Sequence, residues 1–189
     1  MFSRLARLLL TLLVVLPVSQ AFADEYSDTI TIFRNAGESA SFFGSSYGYA
    51  VFPTIGKGGI IVGAAHGSGR VYRRGKYVGD TSMTQLTVGA QLGGQAYSEM
   101  IFFKDKGALD NFTGGNFEFG AQASAVAITA GASAQAGTSG ASAAASGTKR
   151  HATTAAKYYK GMAVFTVAKG GLMYEASIGG QKFSYKPRK

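Results

Sequence analysis

The hydrophobic pattern of the chain changes its period at residue 49, and this change limits the possible folds more than any other feature. From Tyr49 to Tyr185, apolar residues tend to alternate with polar or small ones, most clearly over residues 85–92. Alternation with a period of two is typical of half-buried strands. The chain has 27 glycines but only 3 prolines, which suits strands joined by tight turns better than a flexible tail.

The segment before this pattern has helical spacing instead. Tyr26, Ile30 and Phe33 fall on one face of a helix within residues 24–46, and acidic residues stand near its start, where they suit the helix dipole. Gly37 is expected to end this helix, and residues 39–43 to form a second short turn. The sequence therefore predicts an α+β fold that is mainly antiparallel β, sandwich or barrel-like, with one or two short N-terminal helices.

Several local features refine this prediction. Arg74-Gly75 lies between two short apolar runs, which is a two-residue hairpin signal. Residues 104–112 are expected to form a turn or short helix. A change of parity after Thr129 predicts a β-bulge. Residues 137–147 are expected to form a loop, with a continued small-residue strand or a weak helix as the alternatives, and the tail 186–189 is expected to fray.

Residues 50–67 and 163–179 share a pattern of Ala-Val-Phe, Lys-Gly-Gly, two apolar residues, Ala and Gly. Two copies are too few for a solenoid, which needs at least three repeats. The pattern predicts two equivalent hairpins, related by a pseudo-two-fold axis within one sheet or barrel. The alternative is chance similarity in a chain rich in glycine and alanine.

The first 23 residues predict export. Arg4 and Arg7 precede an apolar run of 11 residues, and Ala21-Phe22-Ala23 supplies the small residues that a signal peptidase requires. The run is shorter than the roughly 20 residues that cross a bilayer. We therefore expect a signal peptide over residues 1–23, one domain over 24–189, and a periplasmic or secreted protein. Removal of Arg4 and Arg7 lowers the net charge from +9 to +7.

The residue inventory argues against catalysis. There are no cysteines and 2 histidines, so a zinc site would need carboxylates to complete it. The carboxylates are scattered, without the close pair of a glycosidase, and no Gly-x-Ser-x-Gly elbow occurs. Lys57 lies among glycines but lacks the spacing of a phosphate-binding P-loop. We predict no enzyme activity, no metal site and no cofactor.

The basic residues cluster in a way that suits an anionic surface. Four of them lie within seven residues around the predicted hairpin, next to two tyrosines. A moderately basic exported domain meets few nucleic acids, so membrane head groups or anionic envelope polymers are the expected partners. A second basic segment comprises Lys149, Arg150, Lys157 and Lys160. The predicted lipid- or anion-binding residues are Arg70, Arg73, Arg74, Lys76, Lys57, Tyr72 and Tyr77.

Seven segments form an ordered series along the chain: Tyr49-Ala50-Val51-Phe52-Pro53, residues 57–63, 67–69, 89–95, 108–112 and 119–124, and Gly170-Gly171-Leu172. In this order they resemble the SYLF family of lipid-binding domains, which occurs in bacterial exported proteins and eukaryotic endocytic adaptors.

The resemblance implies binding of anionic lipids, and actin binding in fungal members. Actin is not a plausible partner for an exported protein of bacterial type, so only the lipid expectation is carried over. Residues 77–82 lack the Trp-Ser and Pro motif of many members, so any role tied to that motif is not carried over. We expect an exported, non-catalytic domain that binds anionic phospholipid peripherally. The alternative is an envelope structural or protein-interaction domain without specific lipid binding.

Overall fold

The computed structural model describes residues 24–59, 62–88, 94–120, 123, 125–128, 158–169 and 178–189. The predicted signal peptide, the bulge after Thr129 and the loop at 137–147 lie outside these residues. The described helices are α1 (Glu25–Asn35), α2 (Gly37–Ser45) and α3 (Lys106–Thr113). The described strands are β1 (Gly48–Gly59), β2 (Val62–Arg73), β3 (Lys76–Val88), β4 (Gln95–Phe103), β5 (Phe117–Glu118), β6 (Val126–Ile128), β7 (Met162–Lys169) and β8 (Lys182–Pro187).

The described strands form one sheet in the order β5-β8-β3-β2-β1-β4-β7-β6. All neighbouring pairs are antiparallel except β6 and β7, which run parallel. The predicted α+β fold with mainly antiparallel strands is therefore confirmed.

The two N-terminal helices follow from local sequence signals. Asp24 caps α1 because its carboxylate accepts a hydrogen bond from the backbone N–H of Tyr26. Gly37 was expected to end this helix, but this expectation is wrong: Ala36 breaks the helix in an extended conformation, and Gly37 begins α2. The buried hydroxyl of Ser39 donates to the carbonyl of Phe33, at 2.5 Å, and so joins the two helices.

The sheet is covered by apolar side chains on both faces, and we name the two layers after the helices that complete them. The α1-side core contains Phe33, Phe42, Val51, Phe102 and Phe165 among its buried members. The α3-side core contains Phe52, Ile101, Phe103, Leu109, Phe112 and Phe183 among its buried members. Successive residues of a strand point to opposite faces, so adjacent residues such as Val51 and Phe52 enter different cores.

The internal sequence echo has a structural counterpart around β4. The Ala-Val-Phe triplets at 50–52 and 163–165 lie in β1 and β7, which pair antiparallel with opposite edges of β4. Their faces are exchanged: Val51 belongs to the α1-side core, and Val164 belongs to the α3-side core. The first copy forms the predicted hairpin with β2, while residues 170–177 of the second copy lie outside the described residues.

Candidate functional site

The predicted hairpin tip lies at one end of the sheet. Arg73 pairs with Lys76, and Arg74 and Gly75 connect them with φ values of 49° and 77°. Positive φ at both central residues is the requirement of a type I′ turn, whose twist matches that of the flanking strands. Tyr47 anchors the turn from below, because its carbonyl accepts a hydrogen bond from the backbone N–H of Arg74 at 3.1 Å.

Other basic residues reach the same end because antiparallel strands alternate in direction. Gly48 at the start of β1 pairs with Arg73 on one side and with Phe103 on the other, and Phe103 pairs with Met162. The segments after β4, before β7 and after β8 therefore meet near the hairpin tip. We call this set of exposed cations the basic end: Arg73, Arg74, Lys76, Lys104, Lys106, Lys160, Arg188 and Lys189.

The C-terminal tail is an ordered part of the basic end, so the expectation that it frays is wrong. Pro187 pairs with Gly79 of β3, and the backbone N–H of Arg188 donates to the carbonyl of Val78 at 2.9 Å. The Arg188 guanidinium lies 4.8 Å from the centre of the Tyr77 ring. Both contacts fix the tail beside the hairpin.

A cleft of about 410 Å³ opens between the hairpin, α3 and the tail. Its walls combine basic and aromatic groups, and Tyr185 is oriented by a hydrogen bond from its hydroxyl to the carbonyl of Val78 at 3.0 Å. Burial raises the pKa of Tyr185, so this phenol is neutral at physiological pH. The cleft is lined by Arg73, Tyr77, Val78, Leu109, Asp110, Thr113, Tyr185, Arg188 and Lys189.

The charges of the basic end are almost all free to meet an outside partner. Among the described residues, Lys106 is the only one of the eight in an ion pair, with Asp110. The hydrogen bond and charge of Asp110 raise the pKa of Lys106. Exposed cations without internal counterions attract anions at low cost, because neither partner loses much hydration.

Arg70 was predicted to belong to this cluster, but its charge is already used within the fold. Its guanidinium forms an ion pair with Asp24 at 3.0 Å and lies 4.0 Å from the centre of the Tyr26 ring. It also lies 5.2 Å from the ring centre of Tyr77. These contacts fasten the start of α1 to β2.

The two predicted tyrosines have different surroundings. Tyr72 stacks on Tyr49, with ring centres 5.1 Å apart and planes 18° apart, and packs against the α1-side core. Tyr77 faces the basic end, and its hydroxyl donates to Asp80 at 2.6 Å. This hydrogen bond raises the pKa of Tyr77.

Lys57 is not close to the other predicted residues. It pairs with Ala65 and Gln95 toward the opposite end of β1 from Gly48. Nine residues of a strand span about 30 Å, so Lys57 and Arg73 cannot contact one small ligand together. Of the second basic segment, Lys160 is described and belongs to the basic end, while residues 149–157 lie outside the described residues.

Sequence reasoning missed Lys104, Lys106, Arg188 and Lys189 as members of this end. They stand directly after β4 or in the tail. A prediction of the direction of each strand could have grouped them, because it places the ends of these segments at the same end of the sheet.

His66 is exposed on β2 opposite Thr84. The described residues contain no group of three or more metal-ligating side chains, and none of the described helices is long and apolar enough to cross a membrane.

These features define a class of protein: an α+β domain with a single mainly antiparallel sheet, helices packed on both faces, and one open, basic, tyrosine-containing end. The sequence model of the Ysc84 family, described as "Las17-binding protein actin regulator", matches residues 84–188. The chain belongs to this family, which is the SYLF family that the sequence resembles.

A curated relative is similar over most of the chain. Beta cell expansion factor A from Aeromonas veronii is 30% identical over 158 residues, which cover 82% of this chain and 51% of the relative. The chain thus spans about half the length of that protein.

Proposed function

We propose that this protein is an exported, non-catalytic domain that binds anionic lipid surfaces peripherally through its basic end. The observation that carries the proposal is the group of exposed cations at the basic end, of which Lys106 alone has an ion-pair partner among the described residues, next to the partly buried rings of Tyr77 and Tyr185. Membership of the SYLF family is consistent with a lipid-binding domain.

The expected mode of binding is electrostatic. Near an anionic membrane, each Lys or Arg contributes roughly 1 kcal/mol, so several cations on one surface hold the protein without an inserted helix. Tyrosine rings suit the interface because one end is apolar and the other polar. Arg73, Arg74 and Lys76 lie at the hairpin tip, and all three are exposed.

An alternative mode, an acyl chain held by Phe42, Phe52 and Phe119, has less support. All three rings are buried, with exposed fractions of 8%, 0% and 6%. Phe42 belongs to the α1-side core, while Phe52 and Phe119 belong to the α3-side core. These rings are on opposite faces of the sheet and do not line one pocket.

Co-sedimentation with vesicles tests the proposal. Vesicles containing phosphatidylglycerol should bind the protein of residues 24–189, and vesicles of phosphatidylcholine alone should not. Binding should fall steeply between 0.05 and about 0.5 M salt, because screening shortens to a few ångström near 1 M. Equal binding to both vesicles, or binding that persists at high salt, would contradict an electrostatic mode.

Export is a separate part of the proposal and rests on the three-part N-terminal sequence alone. N-terminal sequencing of protein recovered from outside the cytoplasm should begin at Asp24. A product that retains Leu8 to Val18 would contradict a cleaved signal peptide.

A second function class is an envelope protein-interaction domain. It is favoured by one observation: the side chain of Leu86 on β3 is 76% exposed, and its neighbours across and along the sheet, Ala64, His66 and Thr84, are exposed as well. Absence of binding to every vesicle composition would favour this class over lipid binding.

A further inference from the structure

Glu99 is a carboxyl group in the middle of the sheet with no exposed surface. On β4 it lies opposite Phe52 of β1 and Thr166 of β7, within the face that forms the α3-side core. None of the ion pairs among the described residues involves it. Burial raises its pKa from 4.5 to about 7, against a smaller opposing effect of a hydrogen bond from Gln181.

The partner of this carboxyl is another fully buried side chain. The Gln181 amide nitrogen donates to Glu99 Oε2 at 2.9 Å and to the Tyr97 hydroxyl at 3.3 Å. The other carboxyl oxygen, Glu99 Oε1, and the amide oxygen, Gln181 Oε1, have no hydrogen-bond partner among the described residues. Two acceptor oxygens cannot bond to each other unless one of them carries a proton.

One proton on Glu99 gives both of these unpartnered oxygens a hydrogen bond. A neutral carboxylic acid has one O–H donor and one carbonyl acceptor, and a primary amide has the matching acceptor and donor. With the proton on Oε1, the acid donates to Gln181 Oε1 while the amide donates to Oε2. Since a buried donor or acceptor without a partner is unfavourable, this two-bond arrangement is the one that the surroundings stabilise.

Gln181 also closes the turn that leads into β8. Its backbone N–H donates to the carbonyl of Ile178 at 3.2 Å, and Gly180 has a φ of +77°, as the third position of a type II turn requires. The turn is fastened to the rest of the sheet by Gln85, whose amide donates to the carbonyl of Gly179 at 2.9 Å. Phe119 exchanges backbone hydrogen bonds with Gly180 and Gln181.

We infer that Glu99 is a neutral carboxylic acid paired by two hydrogen bonds with the Gln181 carboxamide, and that this pair is a pH-sensitive latch that holds the turn 178–181 and the start of β8 on the sheet. The inference does not depend on lipid binding. It makes the attachment of β8 to the sheet dependent on pH, and β8 is the strand that positions Arg188 at the basic end.

The direction of the pH effect follows from proton linkage. The folded protein holds the Glu99 proton more tightly than the unfolded chain does, so folding is favoured at low pH. The advantage is fully present below pH 4.5 and is lost as the pH rises through about 7. Above that pH, Glu99 is a buried carboxylate, and its Oε1 and the Gln181 Oε1 are two acceptors that cannot form a hydrogen bond with each other.

The side chains that face Glu99 from β4, β1 and β7 carry no positive charge that would balance its carboxylate. Tyr97 lies on the same face of β4, and burial followed by the charge of Glu99 raises its pKa, so it stays a neutral phenol. Phe52 from β1 is apolar. Thr166 from β7 is neutral, and its buried hydroxyl has no partner among the described residues.

The test compares Glu99→Gln with the parent, because a carboxamide at this position reproduces both hydrogen bonds without a proton. Denaturant unfolding is measured at pH 5.5 and pH 8. Between these values, the unfolding constant of the parent should rise about 30-fold more than that of the variant, from the two pKa values by linkage. The matched control is Glu118→Gln, which removes an exposed carboxylate on β5. Its unfolding constant should change between pH 5.5 and pH 8 by the same factor as that of the parent.

The same change of stability with pH in Glu99→Gln and in the parent would overturn the inference. If the variant does not fold, infrared difference spectra of the parent decide. A protonated carboxyl band should be present at pH 6 and disappear by pH 8 while the protein stays folded. Hydrogen exchange of residues 178–187, corrected for its intrinsic pH dependence, should accelerate over the same range. A carboxyl that is fully ionised at pH 6, or exchange that is independent of pH, would refute the latch.

Discussion

Ionisable groups occupy two regions of this molecule in opposite ways. At the basic end, eight cations are exposed, and Lys106 is the only one with an ion-pair partner among the described residues. At the latch, one carboxyl is fully buried, and among the residues that the structure describes its one hydrogen-bond donor is Gln181. Exposed charges cost the fold little and are available to a partner, whereas a buried charge is expensive and controls stability. Variants should therefore separate binding from stability.

The largest effect is expected on binding at the hairpin tip. Arg73→Ser, Arg74→Asn and Lys76→Ser together should remove up to about 3 kcal/mol of attraction to anionic vesicles, or roughly 100-fold in affinity. Asn replaces Arg74 because it tolerates the positive φ of this position. Stability should change little, since exposed positions seldom exceed about 0.5 kcal/mol. Vesicle titration and denaturant unfolding measure the two quantities.

The control for this variant removes charge elsewhere. Lys57 lies away from the hairpin tip, so Lys57→Ser should weaken vesicle binding less than Lys76→Ser, which removes the same charge. Equal losses would mean that only the net charge matters and that the basic end is not a site.

The next effect is on stability at the latch. Gln181→Leu removes the hydrogen-bond donor of a buried carboxyl and should cost about 1–3 kcal/mol of unfolding free energy at pH 7. Unfolding curves at pH 7 measure this change. Gln95→Leu, at an exposed position of β4, is the control, and an equal loss there would contradict a special role for Gln181.

The smallest effect is expected at Arg70. Its ion pair with Asp24 is about one-third to one-half exposed, at 32% and 46%, and such pairs contribute at most about 1 kcal/mol. With the Tyr26 contact, which adds roughly 0.5–1 kcal/mol, Arg70→Gln should lower the unfolding free energy by about 1 kcal/mol. Vesicle binding should change less than threefold, because Asp24 already balances the charge. A tenfold loss of binding at unchanged stability would return Arg70 to the lipid-binding set.

Local patterns in the sequence predicted much of the fold. The change of period at residue 49 predicted the switch from helix to sheet, and Arg74-Gly75 marked the turn between β2 and β3. Boundaries were less certain, since Ala36 and not Gly37 separates the two N-terminal helices.

The candidate site was predicted only in part, because charge clustering along the chain differs from clustering in space. Arg73, Arg74 and Lys76 remained together since one tight turn holds them. Arg70 is only three residues before Arg73, yet its guanidinium forms an ion pair with Asp24 at the start of α1. Lys57 lies far along β1, and Glu99 gave no sign in the sequence of its burial.

By itself, the sequence determined the class of fold, the hairpin turn and the excess of basic residues, because these depend on short-range periodicity, on backbone preferences and on composition. The tertiary structure alone decided which charges meet and which is buried. Arg188 reaches Tyr77 through the pairing of β8 with β3, and Glu99 meets Gln181 across 82 residues of chain. The physical reason is that strand order and register arise from long-range packing of both faces of the sheet, which no local pattern encodes.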